Sequence, residues 1–185
     1  MVRKSSKKTA KSGKEMVIDV LNRARAMELQ AIHQYMSQHY KLDDMDYGEL
    51  AAKVKLIAID EMRHAEAFAE RIRELGGEPT VDKKEPVVKG QDVEVMFPFD
   101  AGEEDNAIAA YNGFLAVCRD NGDSVTAKIF EEIIDEEQAH FNYFDAVAGH
   151  IERLGAVYLA KIAGTSSATG LNTQGFVARQ GGGAA

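Results

Sequence analysis

Two stretches of this chain place a carboxylate and an imidazole three residues apart: Glu61-Met62-Arg63-His64 and Glu137-Gln138-Ala139-His140. Residues i and i+3 share one face of an α-helix. Each stretch therefore offers two metal ligands from one helix to a single point. Both motifs lie on apolar stripes. Val54, Ile57, Phe68, Ile72 and Leu75 flank the first, and Phe130, Ile133, Phe144, Ala148 and Ile151 flank the second. Charged ligands on core stripes demand a bundle that buries them and a cation that pairs them.

The spacing around the motifs extends the pattern. Glu28 lies 33 residues before Glu61, and Glu104 lies 33 before Glu137. Glu28 sits in the stripe Val17, Leu21, Ala24, Ala31, Tyr35; Glu104 leads the stripe Ile108, Tyr111, Leu115, Cys118. The midpoint of the first pair falls at Asp44–Met45 and that of the second at Asp120–Asn121, both in turn-forming sequence. In an antiparallel helical hairpin, residues equidistant from the turn face one another. Each hairpin then brings two glutamates to one level. Glu-x32-Glu-x2-His, present twice, reads as a duplicated hairpin. Four Glu and two His is the ligand set of carboxylate-bridged di-iron bundles. Oxygen and imidazole donors without thiolate suit Fe, Mn or Zn.

The spacing predicts an all-α fold: a four-helix bundle of two antiparallel hairpins joined by a long crossover. The expected helices are 15–40, 47–75, 101–119 and 124–154, with a short fifth at 156–162. The third is expected to open on the capping-box spacing of Asp100 and Glu103. Residues 76–100 hold Pro79, Pro86, Gly90 and Pro98 and form the crossover, which lets the second and third helices run parallel. Residues 15–163 form the domain. Residues 1–14 carry six basic side chains and no acid, and read as a flexible basic arm. Residues 164–185 are rich in Gly, Ser and Thr and read as a flexible tail.

Charge and composition exclude several classes. Beyond the arm, 16 basic and 30 acidic residues leave about −14, a poor match for nucleic acid. There is no apolar run for a membrane span and no h-region of a signal peptide. The single cysteine, Cys118, forms no intrachain disulfide and reads as core packing. A cytoplasmic setting is expected.

Three segments resemble bacterioferritins: Met27-Glu28-Leu29-Gln30-Ala31-Ile32-His33-Gln34-Tyr35, Ile59-Asp60-Glu61-Met62-Arg63-His64-Ala65-Glu66 and Asp135-Glu136-Glu137-Gln138-Ala139-His140. The resemblance runs over about residues 16–163 and implies a ferritin-like bundle. It implies that Glu28 and Glu104 are terminal ligands, that Glu61 and Glu137 bridge two iron ions, and that His64 and His140 bind one each. Tyr35 matches a tyrosine beside that site. Met62 matches the axial ligand of a haem, or related iron porphyrin, shared by two subunits across a two-fold axis. Leu56 and Ile59 are expected near the Met62 side. Leu56 stands where some relatives carry a histidine credited with an inner-surface iron site. Glu103 adjoins Glu104, and the 33-residue spacing selects Glu104.

The resemblance further implies a homo-oligomeric cage of two dozen subunits that stores ferric mineral. It implies ferroxidase activity on Fe(II) with O2 or H2O2, and an electron-donor protein such as a ferredoxin or rubredoxin. A rubrerythrin-like peroxidase is the rival enzyme, disfavoured because no Cys-x-x-Cys pair exists. A mini-ferritin-like shell protein is the non-catalytic rival, and it would not need a duplicated ligand set.

Overall fold

A computed structural model describes residues 11–170 and 174–180. Helices α1 (Gly13–Asp44), α2 (Gly48–Glu74), α3 (Val93–Asp120), α4 (Ser124–Leu154), α5 (Ala156–Ile162) and α6 (Phe176–Gln180) follow in order. α1 packs mainly on α2, and α3 mainly on α4. This is the expected bundle of two hairpins.

Each hairpin turns in the same way. α1 ends with Asp46 at φ +65°, and Tyr47 N–H reaches back to Leu42 O at 2.9 Å. α3 ends with Gly122 at φ +73°, and Asp123 N–H reaches Cys118 O at 2.9 Å. Both are left-handed helix terminators that satisfy otherwise orphaned carbonyls. The carboxylate of Asp123 then accepts from Thr126 N–H, which opens α4. It also accepts from Arg71 of α2 at 3.0 Å, tying the hairpins together.

Two apolar clusters fill the bundle, one at each end. The first holds Tyr35, Leu42, Leu50, Ile57, Phe97 and Phe144 with Leu159 and Ile162 of α5. The second holds Leu21, Phe68, Ile72, Tyr111, Cys118 and Phe130. α2 and α3 each begin in the first cluster and end in the second, so they run parallel as expected. The chain between them, residues 75–92, spans the bundle. Eighteen extended residues reach about 60 Å, more than the roughly 40 Å of a 27-residue helix. It lies along α1: Gln34 accepts from Val88 N–H at 2.9 Å and donates to Val88 O at 3.0 Å.

Four expectations need correction. α3 begins at Val93 rather than near Ala101, and Asp100 is not its cap. Pro98 is its sixth residue and removes one helical hydrogen bond, at a cost of about 3 kcal/mol in a helix interior. Val93, Met96 and Phe97 are buried in the first cluster, each contributing about 1.5–3 kcal/mol, which outweighs that loss. Residues 11–14 are not all arm, since Ser12 caps α1 in a reciprocal capping box with Glu15; residues 1–10 lie outside the described residues. The stretch after residue 163 is not simply a free tail. Gly164 N–H bonds Asp46 O at 2.9 Å, and α6 packs on α2 and α4. Residues 171–173 and 181–185 lie outside the described residues. Finally, Leu56 is buried in the first cluster instead of sharing the outer face with Met62, because six helical residues turn it about 120° away.

Candidate metal centre

Between the two apolar clusters the bundle holds Glu28, Glu61, His64, Glu104, Glu137 and His140, all buried. One glutamate comes from α1 and one from α3. α2 and α4 each supply a Glu-x-x-His pair. The donors fall into two overlapping groups. Glu28, Glu61, His64 and Glu137 form one; Glu61, Glu104, Glu137 and His140 form the other. Within each, one donor atom per residue lies within 4.8 Å of every other. Glu61 and Glu137 belong to both.

The histidines face inward through Nδ1. His64 Nδ1 is 3.1 Å from Glu61 Oε2 and 3.3 Å from Glu137 Oε1. His140 Nδ1 is 3.1 Å from both Glu137 Oε2 and Glu61 Oε1. Their outer nitrogens meet acids of the opposite hairpin: His64 Nε2 lies 3.0 Å from Glu136, and His140 Nε2 lies 3.4 Å from Asp60. Glu104 and Glu28 each accept from a tyrosine across the bundle, Glu104 from Tyr35 and Glu28 from Tyr111.

The electrostatics are those of a cluster that protons must neutralise when no cation does. Burial, reinforced by Glu137 and Glu61, raises Glu28 well above the usual carboxylate range, and burial with Glu61 and Glu137 does the same to Glu104. Burial opposes charge on the imidazoles, but the carboxylates outweigh it, and His64 and His140 are both raised. Glu137 is lowered, because the two histidines overcome its burial. Burial and the facing carboxylates raise Tyr35 and Tyr111, so both phenols stay protonated donors.

The donor set fits two divalent cations. Glu61 Oε1 and Glu137 Oε1 are buried and take no hydrogen bond among the described residues, because the nearby His140 Nδ1 and His64 Nδ1 bond the other glutamate of each pair instead. An orphaned carboxylate oxygen in a dry site costs several kcal/mol unless a cation meets it. A cavity of about 30 Å³ between α1 and α3 reaches all four glutamates, with Gln30 and Lys84 also in its lining.

All six expected ligands come together, and Tyr35 stands beside them. Met62 does not; its side chain is 54% exposed on the outer face of α2. Three further residues escaped the reading of the sequence: Tyr111, taken as a stripe residue, and the outer acids Asp60 and Glu136. The signal was available. Glu28/Glu104, Tyr35/Tyr111, Asp60/Glu136, Glu61/Glu137 and His64/His140 are all 76 residues apart. The duplication covers the partners of the ligands as well as the ligands.

A family model described as ferritin-like domain matches residues 18–154. The chain is 65% identical over 164 residues to the bacterioferritin of Desulfovibrio desulfuricans, covering 89% of this chain and 92% of that one. It is 36% identical over 152 residues to the bacterioferritin of Streptomyces coelicolor, covering 81% and 90%. The X-ray structure of the Desulfovibrio desulfuricans protein, solved to follow its diiron site in different catalytic states, superposes with a TM-score of 0.86 at 62% identity, over 90% of this chain and 99% of that one. A Mycobacterium tuberculosis bacterioferritin superposes at 0.76 with 30% identity, over 80% and 93%.

Proposed function

The chain belongs to the bacterioferritin family of ferritin-like proteins, and from that membership we propose that it stores iron and oxidises it on entry. Fe(II) is the substrate, O2 or H2O2 the oxidant, and the six buried ligands the site. The observation that carries this reading is the sharing of Glu61 and Glu137 between both candidate metal groups. Two ferrous ions held on shared carboxylates supply two electrons together, enough to take O2 to H2O2 or H2O2 to water.

The chain's own residues have distinct parts. Glu61 and Glu137 present two oxygens each and bridge. Glu28 and Glu104 are terminal; Tyr111 and Tyr35 hold one oxygen of each, leaving the other for the cation. His64 and His140 offer Nδ1, while Glu136 and Asp60 fix their rings from behind. The apolar clusters above and below keep bulk water out.

Met62 is proposed as the residue that would hold a haem shared with a second copy of the chain. It is exposed and points away from the metal face of α2, as that role requires. A haem bound there would supply electron transfer for iron release, with electrons from a donor protein such as a ferredoxin or rubredoxin. The proposed assembly is a cytoplasmic cage of two dozen subunits. No helix among the described residues is long and apolar enough to cross a membrane. The mini-ferritin-like reading is disfavoured, since one chain supplies the whole ligand set.

The test is Glu61→Ala followed by rapid mixing with Fe(II) and O2. Loss of the fast oxidation phase supports the site. Fast oxidation at the wild-type rate overturns it.

A further inference from the structure

The two halves of the centre are built alike but finished differently. Behind His64 stands Glu136, whose side chain is 41% exposed. It lines an open pocket of about 340 Å³ together with His64, Arg63 and Glu132, and with Asp60, Val177 and Ala178 along the side where the C-terminal segment lies. Behind His140 stands the equivalent acid, Asp60, whose side chain is only 2% exposed. The difference is the C-terminal segment. A Cβ added at Gly175 would fall 1.6 Å from Asp60 Oδ1, so the backbone rides directly on that carboxylate. Val177 N–H donates to Asp60 Oδ2 at 2.9 Å. Phe176 is 3% exposed, its ring centroid 6.0 Å from that of His140 and 5.1 Å from that of Tyr143. Lys53 Nζ lies 5.6 Å from the centre of the same ring. A helix of five residues does not hold itself in water. These contacts place it.

We propose that α6 is a strap that makes the two metal positions unequal. It positions Asp60, and through Asp60 and Phe176 it locks His140. The cation held by Glu61, Glu104, Glu137 and His140 is thereby retained. The cation held by Glu28, Glu61, His64 and Glu137 exchanges with solvent past the half-exposed side chain of Glu136. A cation leaves a site like this when a terminal ligand swings aside. His64 borders a pocket and its outer partner is solvent-exposed; His140 is packed by Phe176 and its outer partner is buried. Phe176 and the Val177 N–H are positioning groups and touch no metal. The inference rests on the two-cation reading above.

The test uses the full-length protein, loaded with Co(II) and mixed with excess EDTA while the Co(II) absorption is followed. Wild type should bind two Co(II) per chain and release them in two phases of equal amplitude. Two variants follow. One ends after Gly170. The other, Val177→Pro, removes a single N–H donor near the start of a helix, where proline is tolerated. In both, the slow phase should accelerate by about tenfold or more, the usual scale for losing an outer-sphere partner. The fast phase should move less than the slow one, because α6 touches Asp60 directly and only walls the pocket beside Glu136. Circular dichroism of both variants should keep the signal of the four long helices, because α6 adds only five helical residues and one buried side chain, Phe176. Release in one phase from wild type, or two phases at wild-type rates in both variants, overturns the strap and leaves the two-cation reading standing. Fewer than two Co(II) per chain overturns both.

Discussion

Tyr35 on α1 donates its phenol to Glu104 on α3, a contact that crosses from one hairpin to the other. Its counterpart, Tyr111 on α3, donates to Glu28 on α1. The carboxylates of Glu104 and Glu28 are thus each held by the other hairpin. Tyr35→Phe and Tyr111→Phe should therefore weaken Co(II) binding to a similar extent, each by about tenfold or more. Calorimetric titration of both variants checks this. A large loss in one and none in the other would mean that only one of the two phenols holds its carboxylate in place for the cation.

Cation binding must displace protons. Glu28, Glu104, His64 and His140 all hold theirs more tightly than usual in the metal-free chain. Loading two cations near neutral pH should release up to four protons per chain, from these four groups, and apparent affinity should rise with pH. Calorimetry in buffers of different ionisation enthalpy counts the protons. A proton-neutral titration contradicts the assignment.

The same shifts set the stability of the metal-free chain. Folding raises the proton affinity of two carboxyls and two imidazoles, so the folded state binds more protons than the unfolded one. Their contribution is present below the unfolded ranges and is lost as pH rises. Tm of the metal-free protein should fall between about pH 5 and 8. Glu137 has the opposite sign and matters only in acid, where its protonation removes stability. Thermal melts across pH, with and without Co(II), check the sign. The loaded protein should show a flatter curve.

Much of this was legible in the sequence because ligand geometry and helix geometry share a period. Glu-x-x-His and the 33-residue spacing needed only the helical repeat to place six donors. What was less legible depended on packing. Pro98 and the capping-box spacing at Asp100 argued locally for a helix start. The burial of Val93, Met96 and Phe97 carried α3 back past both. α6 carries too little periodicity to be read in a stretch rich in Gly, Ser and Thr, and its position is fixed by Asp60 and His140, more than thirty residues away. Tyr111 was hidden because one side chain can serve an apolar stripe and still donate a hydrogen bond.

Met62 lies beyond the buried cluster, so its role separates cleanly from that of the ligands. Met62→Leu should abolish the haem absorption of the purified protein while leaving the fast phase of Fe(II) oxidation near wild type. Visible spectra and rapid mixing on one preparation check both halves. Normal haem content in the variant would remove Met62 as the ligand.

The central claim is that one chain holds two iron ions on shared carboxylates. Anomalous diffraction from crystals soaked anaerobically in Fe(II) measures this directly. The account requires two iron peaks inside each bundle, about 4 Å apart or closer, with Glu61 and Glu137 reaching both, Glu28 and His64 beside one, and Glu104 and His140 beside the other. A single peak per chain, or two peaks that share no carboxylate, would contradict it.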